Sequence, residues 1–592
     1  MGYPRGATRL LPVHTLRAAS SGGAGGARSG IDLGPGRVLG DCRRSFLLCS
    51  RTVRAGATQA GRGADECPHP GDCVRARPLP SGRGGCVEPR DGRDEASVRA
   101  GVTGYREHAI SGVKWTGGST GIGMAIQFVQ MAVLARYLTT EDFGLFGEAM
   151  VVVGIALAFV DLGLSPALVQ RQETDTATIS SLFWLVACIS GATGLLVWSS
   201  SGFVAAFFEA PHLVEVIFPA AAFVVVFGIG QVPLAVLQKA LAFDRLSKVD
   251  IVSGVLGAVT AILCAADGFG ARAPMIGLLV SGSARLLGLL FYVRMIWWPG
   301  LHFQVGEARS FVSFGAYQTG ERFVNYLAAN LDFVMIGRYL GPAALGPYYV
   351  AYQVVVQPMM RLNPVLTRVA FPVFSRIQSD DAVIVRGYVR IIKLVGLVAL
   401  PLLIGMAVVA PSFFRVYLGN AWSEEDLRLT ITLAQILVPV SILKCLANPL
   451  GSAFLAKGRP DIGFSLNTGR LVLNALLFWL AIQSGPQAVA LAYVASSLLA
   501  FWAGHLALRR VMPLGMAAVT KAVMRSLFSA TLMGIVVAMT QLVLTGARID
   551  PLHKLLFLVS LGGTVYFVAT FRLERTFLQD IRGWIARRQE DR

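Results

Sequence analysis

Two neighbouring apolar stretches, 311 to 337 and 345 to 371, carry polar side chains at helical intervals. In the first, Gln318, Glu321, Asn325 and Asp332 follow at steps of three, four and seven, so they share one stripe of a helix. In the second, Gln353, Gln357, Arg361 and Arg368 step by four, four and seven. Two coherent polar stripes are hard to place against lipid, because an ionised side chain in hydrocarbon must face a partner, a cavity or a charged ligand. The amides Gln318, Asn325, Gln353 and Gln357 serve equally well as hydrogen-bonding glue between helices. Glu321, Arg322 and Arg361 lie near the middle of their stretches, where ionic cost favours a functional group or a structural ion pair; Arg368 is near enough to an end to snorkel. Arg285, Lys444 and Arg470 are further cations within apolar runs, with an interfacial placement as the alternative, and Glu148 and Asp161 are further carboxylates.

These stripes need spans to hold them. The chain has 592 residues, of which 54% are hydrophobic and only 15% charged, too apolar for a soluble protein of this size. With about 20 apolar residues per crossing, fourteen stretches qualify: 115–137, 143–168, 179–203, 213–238, 249–269, 274–296, 311–337, 345–371, 391–415, 429–455, 462–483, 486–508, 522–545 and 552–571. The expected fold is all-α and polytopic. Basic residues gather in alternate connections, with Lys239, Arg245 and Lys248 after the fourth stretch and Arg376, Arg386, Arg390 and Lys393 after the eighth. The intervening loops are short or acidic, as at Glu424, Glu425 and Asp426. That bias puts both termini in the cytoplasm.

The chain also repeats itself. Arg136-Tyr137-Leu138 with Gly144 recurs as Arg338-Tyr339-Leu340 with Gly346, at a constant offset of 202 residues. Pro233-Leu234 near the end of the fourth stretch matches Pro449-Leu450 in the tenth. Six spans separate the copies, an even number, so the halves are parallel repeats about an axis along the membrane normal. The expected organisation is a six-helix lobe over 109–298, a linker over 299–310, a second six-helix lobe over 311–510, two extra spans over 511–572 and a basic tail over 573–592. Residues 1–108 are rich in Arg, Gly and Pro, lack Lys and hold five of the eight cysteines. This leader reads as disordered or as an upstream extension ahead of a start near Val98 or Val102; Cys67, His69, Cys73 and Cys86 lack the paired spacing of common zinc modules.

The halves are unequal. At the 202-residue offset the first stripe corresponds to Thr116, Ser119, Gly123 and Gln130, and the second to Val151, Ile155, Phe159 and Pro166. Charge is concentrated in the second half.

Two six-span halves with Ala109-Ile110-Ser111-Gly112-Val113-Lys114-Trp115, Leu134-Ala135-Arg136-Tyr137-Leu138 and Asp161-Leu162-Gly163-Leu164 resemble the Wzx-type polysaccharide flippases. Gln238-Lys239-Ala240-Leu241-Ala242-Phe243-Asp244-Arg245 and Ile336-Gly337-Arg338-Tyr339-Leu340-Gly341 extend the likeness, which is to the WzxC-like branch of the multidrug/oligosaccharidyl-lipid/polysaccharide exporter superfamily and covers roughly residues 107 to 510. The resemblance implies a V-shaped bundle that passes an undecaprenyl-diphosphate-linked oligosaccharide from the cytoplasmic to the outer leaflet of a bacterial inner membrane. The partners it implies are the lipid-linked sugar, membrane lipids and polysaccharide polymerase and export machinery. On that reading Arg322 and Arg361 attract the diphosphate, because Arg stays charged and grips phosphate bidentately. Gln318, Asn325, Gln353, Gln357, Arg285, Lys444 and Arg470 complete the cavity, and Glu321, Asp332, Glu148 or Asp161 binds a coupling cation or proton; no other cofactor is expected.

Two rivals remain. A cation-coupled multidrug exporter of the same superfamily would favour an acidic or aromatic cavity and end at twelve spans. A membrane enzyme of polysaccharide synthesis would need a long loop with a catalytic cluster, and no loop after residue 108 is long enough. Nucleic-acid binding is not supported: the net charge of +18 comes from the Arg-rich leader and from loops facing anionic lipid.

Overall fold

Apolar runs that must cross lipid have one open-chain way to satisfy their backbone, which is helix. The computed structural model describes residues 115–160, 175–300, 305–361, 381–419, 421–544 and 549–574, with side chains only from 319 in the segment that starts at 305, and these residues form helices and no strand. The leader, with its cysteine cluster, and the basic tail beyond 574 lie outside the described residues. The first half comprises α1 (115–134), α2 (Thr140–Val160), α3 (Thr176–Ser199), short α4 (Ser201–Phe208), α5 (Leu213–Ile229) continued by α6 (Gln231–Lys239), α7 (Phe243–Ala266) and α8 (Arg272–Val293). The second half comprises α9 (Val305–Val355), α10 (Asp381–Leu418), α11 (Glu424–Ala447) continued by α12 (Pro449–Ala456), α13 (Pro460–Ala481) and α14 (Pro486–Arg509); α15 (Met516–Val543) and α16 (Pro551–Leu573) follow.

Among the described residues, eleven candidate spans are long and apolar enough to cross a membrane. The predicted stretches 115–137, 311–337 and 345–371 fall instead on α1 and on α9, which runs through the second of them and into the third. A loop was expected between those two; the helix instead breaks at a single residue, Gly341, whose φ of 79° suits glycine, and Pro342 starts the second arm. The expected linker is also shorter than 299–310, since helix resumes at Val305.

The repeated phrases have local structural roles. Pro233 and Pro449 stand in the short helices α6 and α12, each set off from its longer partner at Gly230 or Asn448. Thr139 and Asp142 cap α2 reciprocally: Thr139 Oγ1 donates to Asp142 Oδ2 at 2.8 Å, and the Asp142 amide donates to Thr139 Oγ1 at 3.2 Å. At the equivalent position of the second half stands Gly341.

The final hairpin rests on α10. Tyr566 donates its hydroxyl proton to the Leu397 carbonyl at 2.7 Å, and Glu574, fully buried at the end of α16, lies 2.5 Å from Lys393 and 4.0 Å from Arg525. Removing that buried carboxylate takes away the ion pair it makes with Lys393 and Arg525, a loss of about 1–3 kcal/mol. Glu574→Ala is therefore expected to lower the melting temperature of the protein in detergent, while a substitution at the exposed Thr520 on α15 leaves it unchanged; equal melting curves would refute the anchor.

Candidate functional site

The two lobes meet along both arms of α9. Its first arm packs on α2: the Tyr326 hydroxyl donates to the Met150 carbonyl at 3.0 Å, a Cβ on Gly154 would strike the Tyr326 ring, and Phe159 meets Phe323 with ring centroids 5.7 Å apart. Two-fold logic demands a matching seam between the second arm and α1. There the positions equivalent to Phe159 and Phe323 hold Arg361 and Gly121, and the seam is not filled. It contains a cavity of about 350 Å³, lined by Met124, Gln127, Phe128 and Met131 of α1, by Gln353, Gln357 and Arg361, and by Tyr417 of α10. Tyr417 fixes the wall by donating to the Phe128 carbonyl at 3.1 Å. One seam is closed by aromatic rings and its duplicate is an apolar groove with a guanidinium and three amides.

A second polar cluster lies inside the C-terminal lobe. Asp332 is buried; its Oδ2 accepts from the Tyr348 hydroxyl at 2.6 Å, while Oδ1 has no hydrogen-bond partner. Lys444 Nζ donates to the Tyr352 hydroxyl at 3.4 Å and sits 4.7 Å from the centroid of the Tyr493 ring, a cation–π contact. Asp332 attracts Lys444, Arg470 repels it, and the buried Arg470 Nε has no hydrogen-bond partner. The cluster is made possible by a kink in α9 at Asn330, whose φ of −127° is not helical. Carbonyls near the kink are satisfied from other helices: Ala328 accepts from Asn474 Nδ2 at 3.0 Å and Ala329 from the Tyr493 hydroxyl at 3.3 Å.

The predicted residues therefore divide. Gln353, Gln357 and Arg361 share the seam cavity; Asp332, Lys444 and Arg470 share the lobe interior. Glu321, Arg322 and Asn325 are half-buried on the first arm, outside the cavity lining, and Arg322 has a polar or charged partner. Arg285 is held away from the cavity by Asp250 of α7, with Nε 2.8 Å from Oδ1. Glu148 is fully buried in α2 against Gly337, which Phe208 also approaches, with no hydrogen bond to either carboxylate oxygen. Asp161, Arg368 and the side chain of Gln318 lie outside the described residues. His505 is satisfied inside the bundle by the Tyr388 hydroxyl at 3.1 Å and the Phe501 carbonyl at 2.9 Å.

Sequence reasoning missed the α1 wall and the buried tyrosines. Gln127 was a visible signal, a polar residue in mid-span; Tyr348, Tyr352 and Tyr493 were too, since tyrosine in mid-span needs a partner for its hydroxyl whereas tyrosine at an interface does not.

Duplicated helical lobes with an unfilled seam between them form a multi-pass membrane bundle with the MOP-type fold. The fold matches the lipid II flippase MurJ in an inward closed conformation, with a TM-score of 0.63 at 14% identity, covering 79% of this chain and 100% of that one. An inward-facing multidrug transporter of the MATE family matches with a TM-score of 0.53 at 15% identity, over 67% of this chain and 96% of that one. A family model described as polysaccharide biosynthesis protein matches residues 133–425. The teichuronic acid biosynthesis protein TuaB of Bacillus subtilis is 34% identical over 72% of this chain and 88% of its own length. The lipopolysaccharide biosynthesis protein WzxC of Escherichia coli is 33% identical over 64% and 76% respectively. The chain belongs to this Wzx-like family of membrane proteins of polysaccharide biosynthesis.

Proposed function

We propose that the protein moves an undecaprenyl-diphosphate-linked oligosaccharide from the cytoplasmic to the outer leaflet of a bacterial inner membrane by alternating access of its lobes. The observation that carries this reading is the open seam between α1 and α9, whose duplicate is filled. A lipid-linked sugar needs a polar passage for its head group and a sideways exit for its tail, and the α1–α9 seam offers Arg361, Gln353 and Gln357 next to the apolar Met124, Phe128 and Met131. Relatives named for teichuronic acid and lipopolysaccharide synthesis support the substrate class. In the orientation set by the basic loops, with both termini cytoplasmic, the Arg-Tyr-Leu phrases face the outer side, and the product passes to polymerase and export machinery. Coupling runs through a cation or proton at Glu148, Asp161, Glu321 or Asp332.

The test is leaflet-specific. In liposomes holding the purified protein and a fluorescent undecaprenyl-diphosphate oligosaccharide, wild type exposes the head group to a membrane-impermeant quencher. Arg361→Ala slows that exposure about tenfold, roughly one lost charge-assisted contact of 1.4 kcal/mol, and Arg322→Ala, outside the cavity lining, tests whether the passage extends along the first arm of α9. Full rates in both variants would remove the diphosphate assignment; movement of dyes without movement of the lipid would instead identify a drug exporter.

A further inference from the structure

We propose that Glu148 is a proton site that latches the two lobes together at the Arg-Tyr-Leu end, taking up one proton as they close and releasing it as they part. The lobes touch there through several contacts. A Cβ on Gly144 would strike the Pro342 carbonyl and one on Gly346 the Thr140 carbonyl; Trp422 donates to the Leu138 carbonyl at 3.2 Å, and Arg338 pairs with Glu209 at 2.5 Å. Glu148 lies one turn beyond Gly144 on α2, against Gly337 of α9, which Phe208 of α4 also approaches.

The internal duplicate supplies a control that a single copy would lack. At the 202-residue offset, Glu148 corresponds to Val350 and Gly337 to Ala135. Both counterparts are fully buried in one apolar core. The fold therefore accepts an aliphatic side chain at this place, and packing does not call for the carboxylate.

Nor does a partner call for it. On α2 the charge that acts on it is a like one, Glu141, two turns away. From α9 Arg338 faces Glu209 at the end of α4, from α5 Glu215 pairs with Arg272 of α8, and Arg285 of α8 pairs with Asp250. No titratable group lies in α3 (Thr176–Ser199) except Cys188, which is exposed. A fully buried carboxylate ion with no hydrogen bond to either oxygen is heavily penalised. A metal cation would need several oxygen ligands, and neither Glu148 oxygen has even one hydrogen-bonding neighbour. A proton needs none. Parting the lobes lets water reach the group, so the open state favours Glu148 ionised and the closed state favours it neutral, and lower pH favours closure.

The inference rests on alternating access but not on the identity of the cargo, so it is tested without substrate. Spin labels at Val214→Cys in α5 and Glu425→Cys in α11, on a background without other cysteines, report the separation of the lobes at this end. In lipid nanodiscs the wild-type ratio of short to long distances should fall as pH rises from 5.5 to 8.5, by up to about tenfold per unit for one linked proton. Glu148→Gln and Glu148→Val should both hold the short distance across the whole range; the second is the residue its duplicate already carries, so it folds. Replacing Na⁺ by choline at fixed pH should change nothing. A pH-independent wild type, a pH response that survives in both variants, or a response to Na⁺ overturns the proposal. If the lobes respond as stated but no lipid-linked sugar moves in liposomes, the substrate reading fails and the latch stands.

Discussion

Placing a valine at Gly144 or at Gly346 is expected to hold the lobes apart at the Arg-Tyr-Leu end and to abolish transport, with protein levels in the membrane close to normal. The two glycines are equivalent positions of the repeat, and they contact equivalent partners in exchange: Gly144 approaches the backbone of Pro342, Gly346 that of Thr140. Small residues permit such close crossings in membranes. What a Cβ would meet at either site is a carbonyl, which cannot swing aside as a side chain can, so the helices must separate. An overpacked contact costs about 1–3 kcal/mol, enough to lower the closed population about tenfold or more. Because both glycines serve one crossing, the double variant should be little worse than either single one. Gly191→Val on α3 and Gly563→Val on α16 are matched controls, where nothing lies within 4 Å. Spin-label distances across this end and export in a complemented strain read the effect; a closed distance in Gly346→Val would show that the crossing tolerates bulk.

This crossing also marks how far the sequence could be read. The repeat, its period and its parallel sense were legible because Arg136-Tyr137-Leu138 and Arg338-Tyr339-Leu340 recur in phase with apolar runs. That Gly144 and Gly346 touch the opposite lobe was not, because a spacing within one helix says nothing about which helix faces it. The Gln353, Gln357 and Arg361 stripe was found by period and does line one cavity. Its other wall, Met124, Phe128 and Met131, looks in sequence like any lipid-facing surface. The asymmetry of the seams was present as a substitution, Phe159 against Arg361, but its meaning required seeing that Phe159 fills its seam against Phe323. Arg285 shows the opposite failure: its partner Asp250 stands 35 residues away on another helix, and nothing in the span containing Arg285 announces it.

The C-terminal cluster yields the other large effect. Asp332→Asn and Lys444→Met, made singly, are each expected to reduce the amount of folded protein sharply, whereas the double variant recovers much of it. In the wild type the carboxylate and the ammonium are both buried and attract each other, with Tyr348 and Tyr352 supplying one hydrogen bond to each. Removing Asp332 leaves Lys444 facing Arg470 with no negative group between them. Removing Lys444 leaves Asp332 with a free Oδ1 and one tyrosine. Breaking a buried pair from one side costs about 3–5 kcal/mol, while replacing both members by neutral groups of similar volume is often close to neutral. Thermal unfolding in detergent for the wild type, both single variants and the double variant forms a cycle whose coupling term isolates the pair. Additive losses would mean that Asp332 and Lys444 act independently, and Asp332 would then return as a site for a mobile ion. Strong coupling means that the ammonium of Lys444 already occupies the role of counter-cation within this lobe, whereas Glu148, with no hydrogen bond to either oxygen, is a carboxylate free to exchange a proton as the lobes move.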